Sequence, residues 1–149
     1  RNGNKIQRVI FMTDSDQTIA AQFNTEVMRK VNSPATHIEI FYHGKEMSYG
    51  KNDLPIKMGR DDSSCKIVVQ TDVASREHCS IEVRDNQIGI ADTSTNGTFI
   101  RIGRNESFVI KRSFYPLIGQ GNIKLGEQFN EDDSHVIYFR MVTKTEAQN

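Results

Sequence analysis

The chain has 149 residues and a mass of 17.0 kDa, enough for one compact domain with a real core and too little for two ordinary ones. Hydrophobic residues make up 36% and charged residues 26% of it, a balance that excludes both a membrane-embedded chain and a disordered one. Lysine plus arginine equals aspartate plus glutamate at 19 each, so no overall field draws the protein onto nucleic acid or an anionic membrane, and any anion recognition must be local.

The first 36 residues stand apart from the rest. A short apolar run over 9–12 leads into Asp14-Ser15-Asp16. Ile19, Ala20, Phe23, Val27, Met28 and Val31 then recur at spacings of three and four, which predicts one helix ending near Asn32-Ser33-Pro34. Asp14 and Asp16 at a strand end have the form of a Mg²⁺-binding pair, but too little chain surrounds them to complete such a site, and they read instead as an acidic cap for the helix. The segment is too small for a domain of its own and is read as a linker. The chain starts at Arg1 with neither a secretory signal nor a spanning apolar run, and is read as a piece of a longer, cytoplasmic protein. The expected organisation is a linker over 1–36, a domain over 37–141 and a polar tail over 142–149.

From residue 37 onward, short alternating or β-branched runs are separated by Gly, Asn and Asp clusters about every 8–12 residues, an all-β rhythm. Strands are predicted over 37–42, 56–59, 66–69, 79–84, 87–92, 98–102, 108–110, 122–125 and 136–141. That number builds a sandwich of two antiparallel sheets. Asp85-Asn86 and Asn96-Gly97 supply residues that tolerate the positive φ of tight turns. Cys65 and Cys79 lack metal-ligand spacing and read as two reduced thiols.

Three clusters fall in loops or strand ends: Gly59-Arg60, then Ser75-Arg76-Glu77-His78, then Thr93-Ser94-Thr95-Asn96-Gly97-Thr98. Alternate loops of a sandwich gather at one end, so the clusters can form a single patch of two arginines, several hydroxyls and an amide. Phosphate suits such a patch, because a guanidinium offers a fork of donors and each charge-assisted hydrogen bond contributes about 1.5–3 kcal/mol. The plain alternative is that Arg60 and Arg76 are surface arginines paired with Asp61, Asp62 or Glu77.

The order of the three clusters resembles the forkhead-associated (FHA) family over roughly residues 37–141. The stretch from Leu117 to Gly126 (Leu-Ile-Gly-Gln-Gly-Asn-Ile-Lys-Leu-Gly) is similar to that family's turn and penultimate strand. The resemblance implies an FHA-type sandwich that is a non-catalytic phosphothreonine-peptide reader in signal transduction. Its partner would be a phosphothreonine-containing protein or an intramolecular phosphosite, with no cofactor, no metal, no nucleic acid and no membrane insertion. Carried over residue by residue, it implies that Arg60 and Ser75 bind the phosphate with Arg76 beside them, that Thr95 lines the site and that Asn96 bonds the ligand backbone. Gly59, His78 and Gly97 would be structural, and Val73 is a candidate selector of flanking residues. Where many members turn after the Asn-Gly-Thr strand with a second Asn-Gly, this chain continues as Arg101-Ile102-Gly103-Arg104, which leaves the following turn open. Residues 108–112, 116–121 and 123–126 look most like FHA modules at the C-terminus of bacterial class III adenylate/guanylate cyclases, which would make 1–36 the connection to a cyclase domain.

Other readings fare worse. Ser75 and His78 lack an orienting carboxylate at a motif position, and no nucleophile elbow is present. Gly119-x-Gly121 lacks the third glycine and helix of a nucleotide loop and reads as a turn. Asn96-Gly97-Thr98 and Asn105-Glu106-Ser107 match the glycosylation pattern incidentally, and His37, His43 and His135 show no metal spacing. The alternative to a phosphopeptide reader is a phosphate-independent scaffold or oligomerisation module that keeps the motif for its fold.

Overall fold

A computed structural model describes residues 34–143. The helix expected before residue 33, the acidic cluster at 14–16 and most of the polar tail lie outside the described residues.

Strand formation follows the period-two pattern. Eleven strands run in chain order as β1 (Ala35–Tyr42), β2 (Lys45–Gly50), β3 (Ile56–Gly59), β4 (Ile67–Val68), β5 (Cys79–Arg84), β6 (Gln87–Asp92), β7 (Thr98–Ile102), β8 (Phe108–Ile110), β9 (Phe114–Pro116), β10 (Gln120–Leu125) and β11 (Ile137–Thr143). They form a six-stranded sheet in the order β2-β1-β11-β10-β7-β8 and a five-stranded sheet in the order β4-β3-β5-β6-β9. Every pairing is antiparallel except that of β3 with the two-residue β4. The inward positions Ile38, Ile40, Ile81, Ile90, Ile100, Ile123 and Ile137 are at most 1% exposed and interlock between the sheets.

Two strands are additional to those predicted, and each has a physical reason. In β2 (Lys-Glu-Met-Ser-Tyr-Gly) only Tyr49 is fully buried, because the strand lies at a sheet edge where one face and one side meet water. In β9, Pro116 can sit in a strand because that strand is also an edge. The Asp85-Asn86 hairpin has φ of 52° and 65°, the two positive values that a tight two-residue turn requires. The turn left open by the sequence closes after Ile102, with Gly103 at φ 60° and the Asn105 N–H donating to the Ile102 carbonyl at 3.1 Å. Gly119 turns at φ 63° as expected, but Gln120 and Gly121 already belong to β10. Cys65 and Cys79 are buried free thiols. No helix among the described residues is long and apolar enough to cross a membrane.

The register places one end of the sandwich under functional demand. Met58 on β3 pairs with Cys79 on β5, Cys79 with Asp92 on β6, and Thr98 on β7 with Leu125 on β10. The loops that follow β3, precede β5 and join β6 to β7 therefore leave the core at the same level. Replacing Ile90 by alanine, in the middle of this core, should lower unfolding free energy by about 2–5 kcal/mol, whereas Ile118→Ala on the surface should change it by about 0.5 kcal/mol or less, both read by urea titration.

Candidate functional site

The loop end is held together by buried polar groups. His78, just before β5, is 0% exposed. Its Nδ1 accepts the Ser75 N–H at 2.9 Å, so its proton sits on Nε2, which donates to the Gly97 carbonyl at 2.8 Å. The ring is thus a strut between the two loops that carry Ser75 and Asn96. Burial pushes the His78 pKa below the ordinary histidine value, and this outweighs the upward pull of the Gly97 carbonyl and the Asp92 charge. Asp92 Oδ1 lies 3.8 Å from Nε2, beyond hydrogen-bond reach, so the contact is not an ion pair with a charged imidazole.

Asp92 is the second organiser, a residue that holds no place among the predicted site residues. It is the last inward position of β6, and its carboxylate accepts from the Ser94 N–H, the Ser94 hydroxyl, the Thr98 hydroxyl and the Arg112 N–H. The Thr98 bond, at 2.6 Å, joins the two sheets. Burial opposes the charge of Asp92, but these hydrogen bonds prevail and hold its carboxyl below the usual carboxylate range. Ser94 Oγ in turn accepts the Gly97 N–H at 2.7 Å. The legible signal was a strand ending in Asp with Ser two and Thr six positions later, short hydroxyl side chains suited to loop-capping bonds.

On this frame the predicted residues converge. The Arg60 N–H donates to the Ser75 carbonyl at 3.0 Å, and Arg60 Nε donates to the Ala74 carbonyl at 3.0 Å, which fixes the guanidinium plane; among the described residues its remaining donors have no hydrogen-bond partner. Ser75 Oγ accepts the Thr95 N–H at 3.2 Å, so its own proton remains available to a further acceptor. Asn96 Nδ2 donates to the Val73 carbonyl at 3.0 Å, and its Oδ1 has no hydrogen-bond partner among the described residues. Arg60, Thr95 and Asn96 are exposed and Ser75 is half-buried. Val73 therefore enters the site through its carbonyl.

Arg76 is exposed beside Ser75; its carbonyl accepts from the Asp61 N–H and from Cys65 Sγ, but among the described residues no hydrogen bond ties its side chain to the other four. Gly59 is required by close approach, because a Cβ there would sit on the Arg76 carbonyl. Gly97 is required by its φ of 93°. Two of the three nearby acids have partners of their own. Glu77 pairs with Lys57 at 3.0 Å, and Asp61 accepts from Ser63 and Ser64. Nor do Ser75, His78 and Asp92 make a nucleophilic triad, since His78 receives a backbone N–H rather than the Ser75 hydroxyl and its other nitrogen serves Gly97. The arrangement offers donors to a bound anion and no base to a reacting one.

Because the folded His78 pKa is depressed, its neutral form contributes stability that is present above the ordinary histidine range and lost as pH falls below it; Asp92 adds a loss at lower pH, through the carboxylate range. Urea unfolding should therefore show the wild type losing stability between about pH 7.5 and about pH 5.5, with a visibly smaller loss in His78→Ala.

The FHA domain family model matches residues 56–126. No curated protein sequence matches the chain. Among solved structures the chain is similar to the FHA-1 domain of Mycobacterium tuberculosis Rv1747, at 17% identity and a TM-score of 0.51, with 72% of this chain and 98% of that one covered. It is similar to the FHA domain of MEK1 in complex with a HOP1 phosphothreonine peptide, at 22% identity and a TM-score of 0.54, covering 70% and 95%. It is also similar to the N-terminal FHA domain of S. cerevisiae Rad53p in complex with a phosphothreonine peptide, at 16% identity and a TM-score of 0.52, covering 75% and 97%. At these identities the likeness is one of fold, and the matched stretch contains every loop that meets at the polar end of the sandwich. Family match, two-sheet topology and loop order agree that the chain carries a domain of the forkhead-associated (FHA) family.

Proposed function

We propose that this domain, taken as residues 37–141, is a phosphothreonine-peptide reader that recruits a phosphorylated partner or an intramolecular phosphosite and catalyses nothing itself. The observation that carries this reading is the Arg60 side chain: braced by Ala74, in no ion pair among the described residues and close to a serine whose hydroxyl proton is free. In it Arg60 and Ser75 hold the phosphate, Arg76 adds charge from the rim, Thr95 lines the cavity around the phosphothreonine methyl, and Asn96 bonds the peptide backbone. His78, Gly59 and Gly97 keep the loops in place. The solved complexes with phosphothreonine peptides support the ligand class. Two buried free thiols accord with a reducing compartment, and we place the domain in the cytoplasm.

We further assign the domain to a parent class III nucleotide cyclase, on the resemblance of residues 108–126, with the reader regulating second-messenger synthesis. Equal cyclase output from the parent with and without Arg60→Ala would remove this assignment and leave the reader untouched.

Titration of the wild type with phosphothreonine, phosphoserine and unmodified threonine peptides from a degenerate library should show retention of the phosphothreonine set alone. Arg60→Ala should weaken it by about 3 kcal/mol or more, on the order of a hundredfold, because truncation removes the main charged donor. Retention that ignores the phosphate, or survives Arg60→Ala, would point to the phosphate-independent scaffold.

A further inference from the structure

The register sets one further charged side chain at the loop end. Thr98 on β7 pairs with Ile110 on β8, so the residue after Ile110 comes level with the residue before Thr98. Lys111 therefore meets Gly97, the neighbour of Asn96. The contact is close: a Cβ built on Gly97 would stand 3.2 Å from Lys111 Cγ and 2.7 Å from Val109 Cγ2. The lysine stem packs on the bare side of the glycine, one residue from Asn96, and Lys111 as a whole is exposed.

A lysine on an exposed turn is ordinarily solvated charge that contributes little. Two observations set Lys111 apart. The turn that carries it is tied to the same buried residue as the loop that carries Asn96: Asp92 Oδ2 accepts the Arg112 N–H at 2.9 Å, and the Asp92 N–H donates to the Ser113 carbonyl at 2.9 Å. Lys111 and Asn96 therefore share one anchor and are held in place before a ligand arrives. The second is that Lys111 enters no ion pair among the described residues. Arg112, next in the chain, differs in surroundings, since it lines a groove with Glu82, Arg84 and Thr93 and not with Asn96.

We propose that Lys111 is a specificity-determining residue, which pairs with an acidic side chain of the bound peptide a few residues from its phosphothreonine. The inference rests on the reader proposed above, in which Asn96 bonds the peptide backbone. A segment held there passes over Gly97 and advances about 3.3–3.6 Å per extended residue, so a carboxylate a few residues from the phosphate comes within reach of the Lys111 ammonium. Val109, 46% exposed and packed on the same glycine, offers that segment an apolar contact. The ion pair is exposed, so its contribution is a few-fold and sensitive to salt. Arg60 and Ser75 decide whether a phosphopeptide binds, and Lys111 decides among those that do.

The test is fluorescence-anisotropy titration of the full 149-residue chain with phosphothreonine peptides that carry aspartate, asparagine or lysine at each of about four positions on either side of the phosphothreonine, the span an extended segment covers across the rim. At one or two adjacent positions the wild type should bind the aspartate peptide about three- to fivefold more tightly than its asparagine counterpart. Lys111→Glu should retain phosphothreonine binding and shift the preference to lysine at the same positions. Arg112→Glu makes the same change of charge one residue away and should leave the aspartate preference in place. No preference at any position, a preference that survives Lys111→Glu, or one lost equally in Arg112→Glu would overturn this inference and leave the reader standing. Failure of the wild type to bind any of the phosphothreonine peptides would overturn both.

Discussion

The neutral ring of His78 is the contact on which the loop end depends. A backbone N–H and a backbone carbonyl from two loops need partners as they leave the sheets, and no water reaches them at a position with no exposure. One imidazole satisfies both because it has a donor and an acceptor on opposite sides of a rigid plane. A charged ring would have two donors and no acceptor, and the Ser75 N–H would then face a proton. The same burial that depresses its pKa therefore preserves its hydrogen bonding.

Asp92 completes the frame by a different route. It remains charged inside the sandwich because four donors converge on it, and one of them, Thr98, belongs to the opposite sheet. Together the two residues turn three loops of irregular backbone into a rigid rim. That rigidity matters for recognition, since a donor set positioned in advance loses less side-chain freedom when a ligand arrives. Arg60 shows the effect most directly. Its Nε is bonded to Ala74, so the guanidinium is already oriented before any anion is bound.

The loop rim and the outer face of the six-stranded sheet differ in their chemistry. The loop rim concentrates donors, and among the described residues no ion pair ties Arg60 to an acid, whereas the outer face of β1 and β11 sets acid, aromatic and base in register. The donors of the rim suit a small anion.

Most of the architecture was legible in the residues. Isoleucines at period two, such as Ile38 and Ile40 or Ile88 and Ile90, require strands with one buried face, and Asp85-Asn86 requires a tight hairpin, since local sterics and burial leave little choice. The edge strands β2 and β9 were hidden for the same reason: a strand with one solvated side need not alternate cleanly, so it carries no period to read. The clusters at 59–60, 75–78 and 93–98 were visible as chemistry, and their order was enough to suggest a shared site. What the residues alone could not decide was partnership in space. Which carbonyl braces Arg60, that Val73 supports Asn96 through its backbone, that Asp92 gathers donors from both sheets, and that Glu39 and Arg140 flank a pair of exposed rings all depend on contacts between segments far apart in the chain. Those contacts are set by the packing of two sheets, which no local pattern encodes.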